Sequence, residues 1–60
     1  MRTFSCFTFD EQSSTPTLSF IFAPNERRAR ALARQELLDT ERAVCVEVFE
    51  RDRLLWTERP

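Results

Sequence analysis

Apolar residues recur along this chain at two different periods, and the change of period divides it. From Pro24 to Thr40 (PNERRARALARQELLDT), Ala29, Leu32, Ala33 and Leu37 fall at i, i+3, i+4 and i+8. That is the spacing of one buried helical stripe. Ala, Leu, Arg, Gln and Glu fill the run, and these residues lose little rotamer freedom in a helix. Pro24 biases Ala23 towards extended geometry, so a strand should end at Phe22 or Ala23. Asn25 then reads as the N-cap, its side-chain oxygen accepting from the N–H of Arg27 or Arg28. No glycine is available for a left-handed C-terminal cap, so Asp39, Thr40 or Glu41 has to close the helix less sharply.

On either side the period drops to two, the signature of strands. Residues 2–9 place Phe4 and Cys6 on one face and Phe7 and Phe9 on the other, which leaves the register open unless a bulge intervenes near Ser5 to Phe7. Residues 10–17 (DEQSSTPT) read as a hairpin loop and the most mobile segment. Leu18, Phe20 and Phe22 then alternate inward, with Ser19 and Ile21 outward. After the helix, Val44, Val46 and Val48 oppose Cys45, Glu47 and Phe49. Glu50-Arg51-Asp52-Arg53 lacks Gly and Asn, so a four-residue type I loop is expected in place of a two-residue mirror-image turn. Leu54 to Glu58 returns with Leu54 and Trp56 on one face and Leu55 on the other, and Arg59 and Pro60 form a tail.

These elements predict an α+β domain of order β-β-α-β-β, one helix packed on one face of a four-stranded sheet. Residues 1–60 form one domain, near the lower size limit for folding alone. The expected core joins Leu18, Phe20 and Phe22 to Val44, Val46, Val48 and the helix stripe. With strands numbered along the chain, order 2-1-4-3, as in β-grasp domains, is preferred; hairpins meeting along a different edge are the alternative.

Composition narrows the chemistry. There is no His and no Gly, which removes the commonest general base and the loops that cradle phosphates. Cys6 and Cys45 have no imidazole to activate them and fall short of a zinc site, so they are expected as reduced thiols. No catalytic residue, cofactor, metal or small-molecule substrate is expected. The net charge of −1 gives no field to draw the molecule onto nucleic acid or a membrane. All nine basic residues are arginine, and Arg27, Arg30 and Arg34 share one flank of the helix, read as a solvated face or a candidate anion-contacting stripe. Nothing resembles a secretory segment or a membrane span, so a cytoplasmic location is expected.

The stretches PNERRARALA and AVCVEVFERDRLLWTE resemble small bacterial β-β-α-β-β domains that have no assigned activity. In those, an Ala/Arg-rich helix precedes a hairpin of the form V-x-V-x-x-x-D-G-x-hydrophobic; here Asp52 is followed by Arg53 instead of Gly. The likeness covers about the last two-thirds of the chain and implies the architecture, with no functional residue to carry over.

One helix covers one face of a sheet, yet these strands are apolar on both. Ile21, Cys45, Phe49 and Leu55, with either Phe4/Cys6 or Phe7/Phe9, are left for the other face, which reads as an interaction surface. A non-enzymatic interaction module follows, expected as a homodimer through the uncovered sheet face or an edge strand. The alternative is a nucleic-acid accessory domain that stacks bases on sheet aromatics and touches phosphates with the Arg flank.

Overall fold

The computed structural model describes residues 1–60 and places five elements along the chain: β1 (Arg2–Asp10), β2 (Thr17–Ala23), α1 (Glu26–Asp39), β3 (Ala43–Glu50) and β4 (Arg53–Glu58). The β-β-α-β-β order follows the change of hydrophobic period. α1 starts where its capping chemistry puts it. Asn25 is extended, and its side-chain oxygen accepts from the Arg28 N–H at 2.9 Å. Thr40 closes the other end, its N–H and its hydroxyl both donating to the Glu36 carbonyl, at 3.1 and 2.8 Å. The turn into β3 then needs a left-handed residue, which Arg42 supplies at φ 62°.

The sheet order is β2-β1-β3-β4, with every neighbouring pair antiparallel. The preferred order 2-1-4-3 is therefore corrected. In the observed order β2 and β3 run parallel with only β1 between them. The α1 crossover then spans two strand spacings, roughly 10 Å, about the width of a helix. Order 2-1-4-3 would ask it to span three, through connections of only two residues (Pro24, Asn25) and three (Thr40 to Arg42). The observed order also places β1 and β3, apolar on both faces, in the centre.

The helix stripe packs as the spacing implies: Ala29, Ala33 and Leu37 are buried and Leu32 packs against their edge. Beneath them lie Phe4 and Cys6 of β1, Val46 and Val48 of β3, and Trp56 of β4. On β2 the expected register is inverted. Ile21 and Ala23 are buried under the helix, while Leu18, Phe20 and Phe22 are 49%, 56% and 62% exposed. The helix stripe explains this. Two of its three buried residues are alanines, whose short side chains leave room for Phe4, Val46, Val48 and Trp56 beneath the helix, and on β2 Ser19, Ile21 and Ala23 complete that layer. Ser19 also faces the helix, its hydroxyl donating to the Glu36 carboxylate at 3.1 Å.

Two bulges correct two more assignments. Between β1 and β3 the pairing steps from Phe9↔Cys45 to Asp10↔Ala43. Val44 is the extra residue, so it turns out to 43% exposure and Ala43 takes its place against the core. Between β3 and β4 the pairing steps from Val48↔Trp56 to Phe49↔Leu54. Leu55 is extra there and packs against the core, while Leu54 is left exposed. β1 itself alternates regularly through Ser5 to Phe7.

The β3–β4 connection is a two-residue turn, Arg51-Asp52 closed by Glu50↔Arg53, and not the expected four-residue loop. Arg51 takes the left-handed conformation at φ 60° that such turns require. A side chain with a Cβ is strained there. Arg51→Gly and Arg42→Gly are each expected to stabilise the fold by about 1 kcal/mol, after the gain in unfolded-chain entropy is subtracted. Urea midpoints rising at unchanged slope would show it; a fall at either site would contradict the assigned backbone.

Arg2 at the start of β1 grips Glu50 at the end of β3 through two hydrogen bonds of 2.8 and 2.6 Å. The Arg2 bond holds the Glu50 carboxyl below its ordinary value, opposed by partial desolvation. The folded chain thus keeps Glu50 ionised where the unfolded chain already takes a proton. Its contribution is present at neutral pH and is lost as pH falls through and below the carboxylate range. Glu50→Gln is expected to narrow its deficit relative to the parent chain as pH falls, read from melting temperatures between pH 7 and pH 2. A deficit independent of pH would remove this linkage. No helix is long and apolar enough to cross a membrane.

Candidate functional site: the uncovered sheet face

Residues directly opposite each other in an antiparallel ladder share a face, so the register sorts every strand residue. On the side away from α1, Thr3 pairs with Phe22, Ser5 with Phe20, and Phe7 with Leu18. Across the other edge of β1, Ser5 faces Phe49, Phe7 faces Glu47, and Phe9 faces Cys45. β4 adds Thr57 beside Glu47 and Leu54 beside Phe49. Of the six phenylalanines in the chain, five (Phe7, Phe9, Phe20, Phe22 and Phe49) lie on this face, and only Phe4 lies under the helix.

The aromatic side chains are partly organised. Phe7 and Phe49, diagonal neighbours on the central strands, meet edge to face with ring centroids 5.5 Å apart and planes at 84°. Phe20 and Phe22 have no such aromatic partner and stand at the β2 edge, more than half exposed. Glu47 is the single charged side chain in this array, flanked by Phe7 and Thr57 and standing between Cys45 and Phe49 along its own strand. Apart from it, the polar groups are hydroxyls: Thr3, Ser5 and Thr57.

Of the four residues assigned to this face from sequence, Cys45 and Phe49 lie on it. Ile21 and Leu55 do not: Ile21 sits under the helix because β2 is inverted, and Leu55 is turned to the core by its bulge. The open choice on β1 resolves to Phe7 and Phe9. Leu18, Phe20, Phe22 and Leu54 replace the two that are lost. No local signal identified Phe20 and Phe22, since alternation alone ranks Leu18, Phe20 and Phe22 as the apolar face of β2 and the packing of α1 selects the other. Nothing local announced the Leu54/Leu55 bulge.

The helix arginines are elsewhere and mostly engaged. The Arg30 guanidinium lies 4.3 Å from the centre of the Trp56 ring, and Arg34 pairs with Glu58 at 3.1 Å. Arg27 is exposed near the start of α1. All three belong to the helix layer, on the opposite side of the sheet from the five phenylalanines, so the cationic flank and the aromatic array do not converge on one ligand.

Other chemistry is sparse. Cys6 is buried beneath the helix, and burial pushes its thiol up from the ordinary value against the lowering effect of the Ser19 hydroxyl. It is therefore protonated at neutral pH and shielded from solvent. Cys45 is a free thiol on the opposite face, so the two cannot approach for a disulfide. Three or more His, Cys, Asp or Glu are nowhere gathered for a metal ion. The one concavity is an open depression over the β3–β4 turn, lined by Glu50, Arg51, Asp52 and Arg53. Comparison with known proteins finds no matching family model, no matching curated protein and no matching solved structure.

Proposed function

We propose that this chain is a small, non-enzymatic protein-interaction module that self-associates through the uncovered sheet face. The observation that carries the reading is the placement of Phe7, Phe9, Phe20, Phe22 and Phe49 on the side no helix covers. An apolar patch of this kind, interrupted by a single charge at Glu47, marks a contact surface. Its dimensions suit a second copy. The molecule is a slab of 33 × 21 × 15 Å, so two broad faces of on the order of 600 Å² each would together bury about 1,200 Å², the lower bound for stable specific interfaces. Stacked in this way, two sheets about 10 Å apart form a sandwich with the helices outside. The two free thiols suit a reducing compartment such as the cytoplasm.

The test is the mass in solution of the parent chain and of Phe49→Glu. The parent is expected to sediment as a dimer or larger at micromolar concentration. The variant is expected to associate on the order of a hundredfold more weakly, because a second carboxylate, beside Glu47 on the same strand face, would be desolvated at the centre of the contact. A monomeric parent at high micromolar concentration, or a variant with unchanged association, overturns the reading. A nucleic-acid accessory role is the second reading, and the same five phenylalanines favour it, since every base has a face to stack on them. Salt-dependent binding of the monomer to single-stranded oligonucleotides, abolished by Phe49→Glu, would select it over self-association.

A further inference from the structure

The two edges of this sheet are built differently. β4 carries Arg53 and Glu58 at its ends and a bulge at Leu55, devices that discourage another strand from pairing with an edge. β2 carries none of them. Thr17–Ala23 (TLSFIFA) has no charged residue and no proline, and its pairing with β1 runs from Thr17 to Ala23 without a register shift. An uncharged, regular, seven-residue edge is a template for an incoming strand.

We infer that β2 pairs antiparallel with β2 of a second copy about a two-fold axis at Phe20, joining two sheets into one of eight strands. This rests on the reading of the chain as self-associating and adds a second surface to it. Centring on Phe20 is the register that uses the whole strand. Phe20 then meets its own copy, Leu18 meets Phe22, and Ser19 meets Ile21, so no like charges are opposed. The Phe-rich faces of the two copies become continuous, which doubles the apolar surface available for stacking.

The helices favour the same partner. Glu36 bonds Ser19 and so marks the flank of α1 that overlooks β2, while Arg30 and Arg34 mark the flank over β4. Along the β2 flank, Arg28 lies near the N-terminal end and Glu36 and Asp39 lie near the C-terminal end. A two-fold axis reverses one helix against the other and sets the basic end of each beside the acidic end of its mate. A parallel or translated copy would not.

Cysteine cross-linking in a Cys45→Ser background tests the register. Directly paired residues bring Cα atoms within disulfide reach; a disulfide can also bridge two stacked sheets, so the preference for mixed over single chains and the Phe49→Glu background identify the edge pairing. Phe20→Cys is expected to form a covalent dimer on mild oxidation. Leu18→Cys and Phe22→Cys are expected to cross-link on the order of tenfold faster when mixed than when either is alone. All three sites are exposed and outside the core, so the variants should fold, and circular dichroism checks it. Absence of the Phe20→Cys dimer, or equal rates for mixed and single Leu18→Cys and Phe22→Cys chains, overturns the inference. Adding Phe49→Glu separates the two surfaces. A Phe20→Cys cross-link that survives it, with no change in the mass of the uncross-linked protein, keeps the edge pairing and removes the face contact. A mass that falls with Phe49→Glu while Phe20→Cys stays uncross-linked keeps the face contact and removes the edge pairing.

Discussion

Phe4→Ala is expected to remove about 3–5 kcal/mol of stability, while Phe22→Ala changes the stability of the monomer by less than about 1 kcal/mol. The two residues have the same side chain and lie on neighbouring strands, but Phe4 is fully buried and Phe22 is 62% exposed. Phe4 packs beneath the helix against Trp56, ring centroids 6.3 Å apart, with the Arg2 guanidinium 5.1 Å from its ring centre. Truncating such a residue costs about 3–5 kcal/mol through lost transfer energy and the cavity left behind. A domain of this length has roughly 3–9 kcal/mol in total, so the loss takes between about a third and all of it. Thermal or urea melts followed by circular dichroism in dilute solution would measure both variants. A larger loss for Phe22→Ala than for Phe4→Ala would mean that β2 has the opposite register.

The second large effect lies in the helix. Ala33→Leu is expected to cost about 1–3 kcal/mol, although leucine is as good a helix former as the position needs. Ala33 has no exposed surface and rests directly on the sheet with Ala29 and Leu37. Extra methylenes there must either lift α1 or push the strand side chains out of their rotamers. Ala31→Leu makes the same chemical change on the exposed side of the same helix and is expected to stay within about 0.5 kcal/mol. Equal effects at Ala31 and Ala33 would remove the argument that small residues hold the helix close.

That close approach also explains which parts of the fold were legible in the sequence. The helix, its Asn25 cap and its buried stripe follow from local spacing and capping chemistry, and the structure has them where those rules put them. The valines at 46 and 48 are buried as alternation implies. β2 was misread because alternation ranks its two faces by bulk, and bulk favours Leu18, Phe20 and Phe22. The helix above ranks them by fit, and fit favours Ser19, Ile21 and Ala23. Leu55 departs from alternation for a different reason: strict period two assumes no bulge, and the bulge shows only in the pairing of β4 with β3.

The number, kind and order of the elements are set locally along the chain, since period, capping and turn residues act over a few neighbours. The sequence by itself also determined that apolar strand surface would exceed what one helix can shield. Which side chains form that excess, and which strands lie at the edges, is settled by packing between distant elements. Those outcomes depend on how close an alanine-faced helix sits, how many strands a short crossover can span, and where two bulges reset the pairing. Each is a property of elements in contact, and none is carried by a stretch of chain alone.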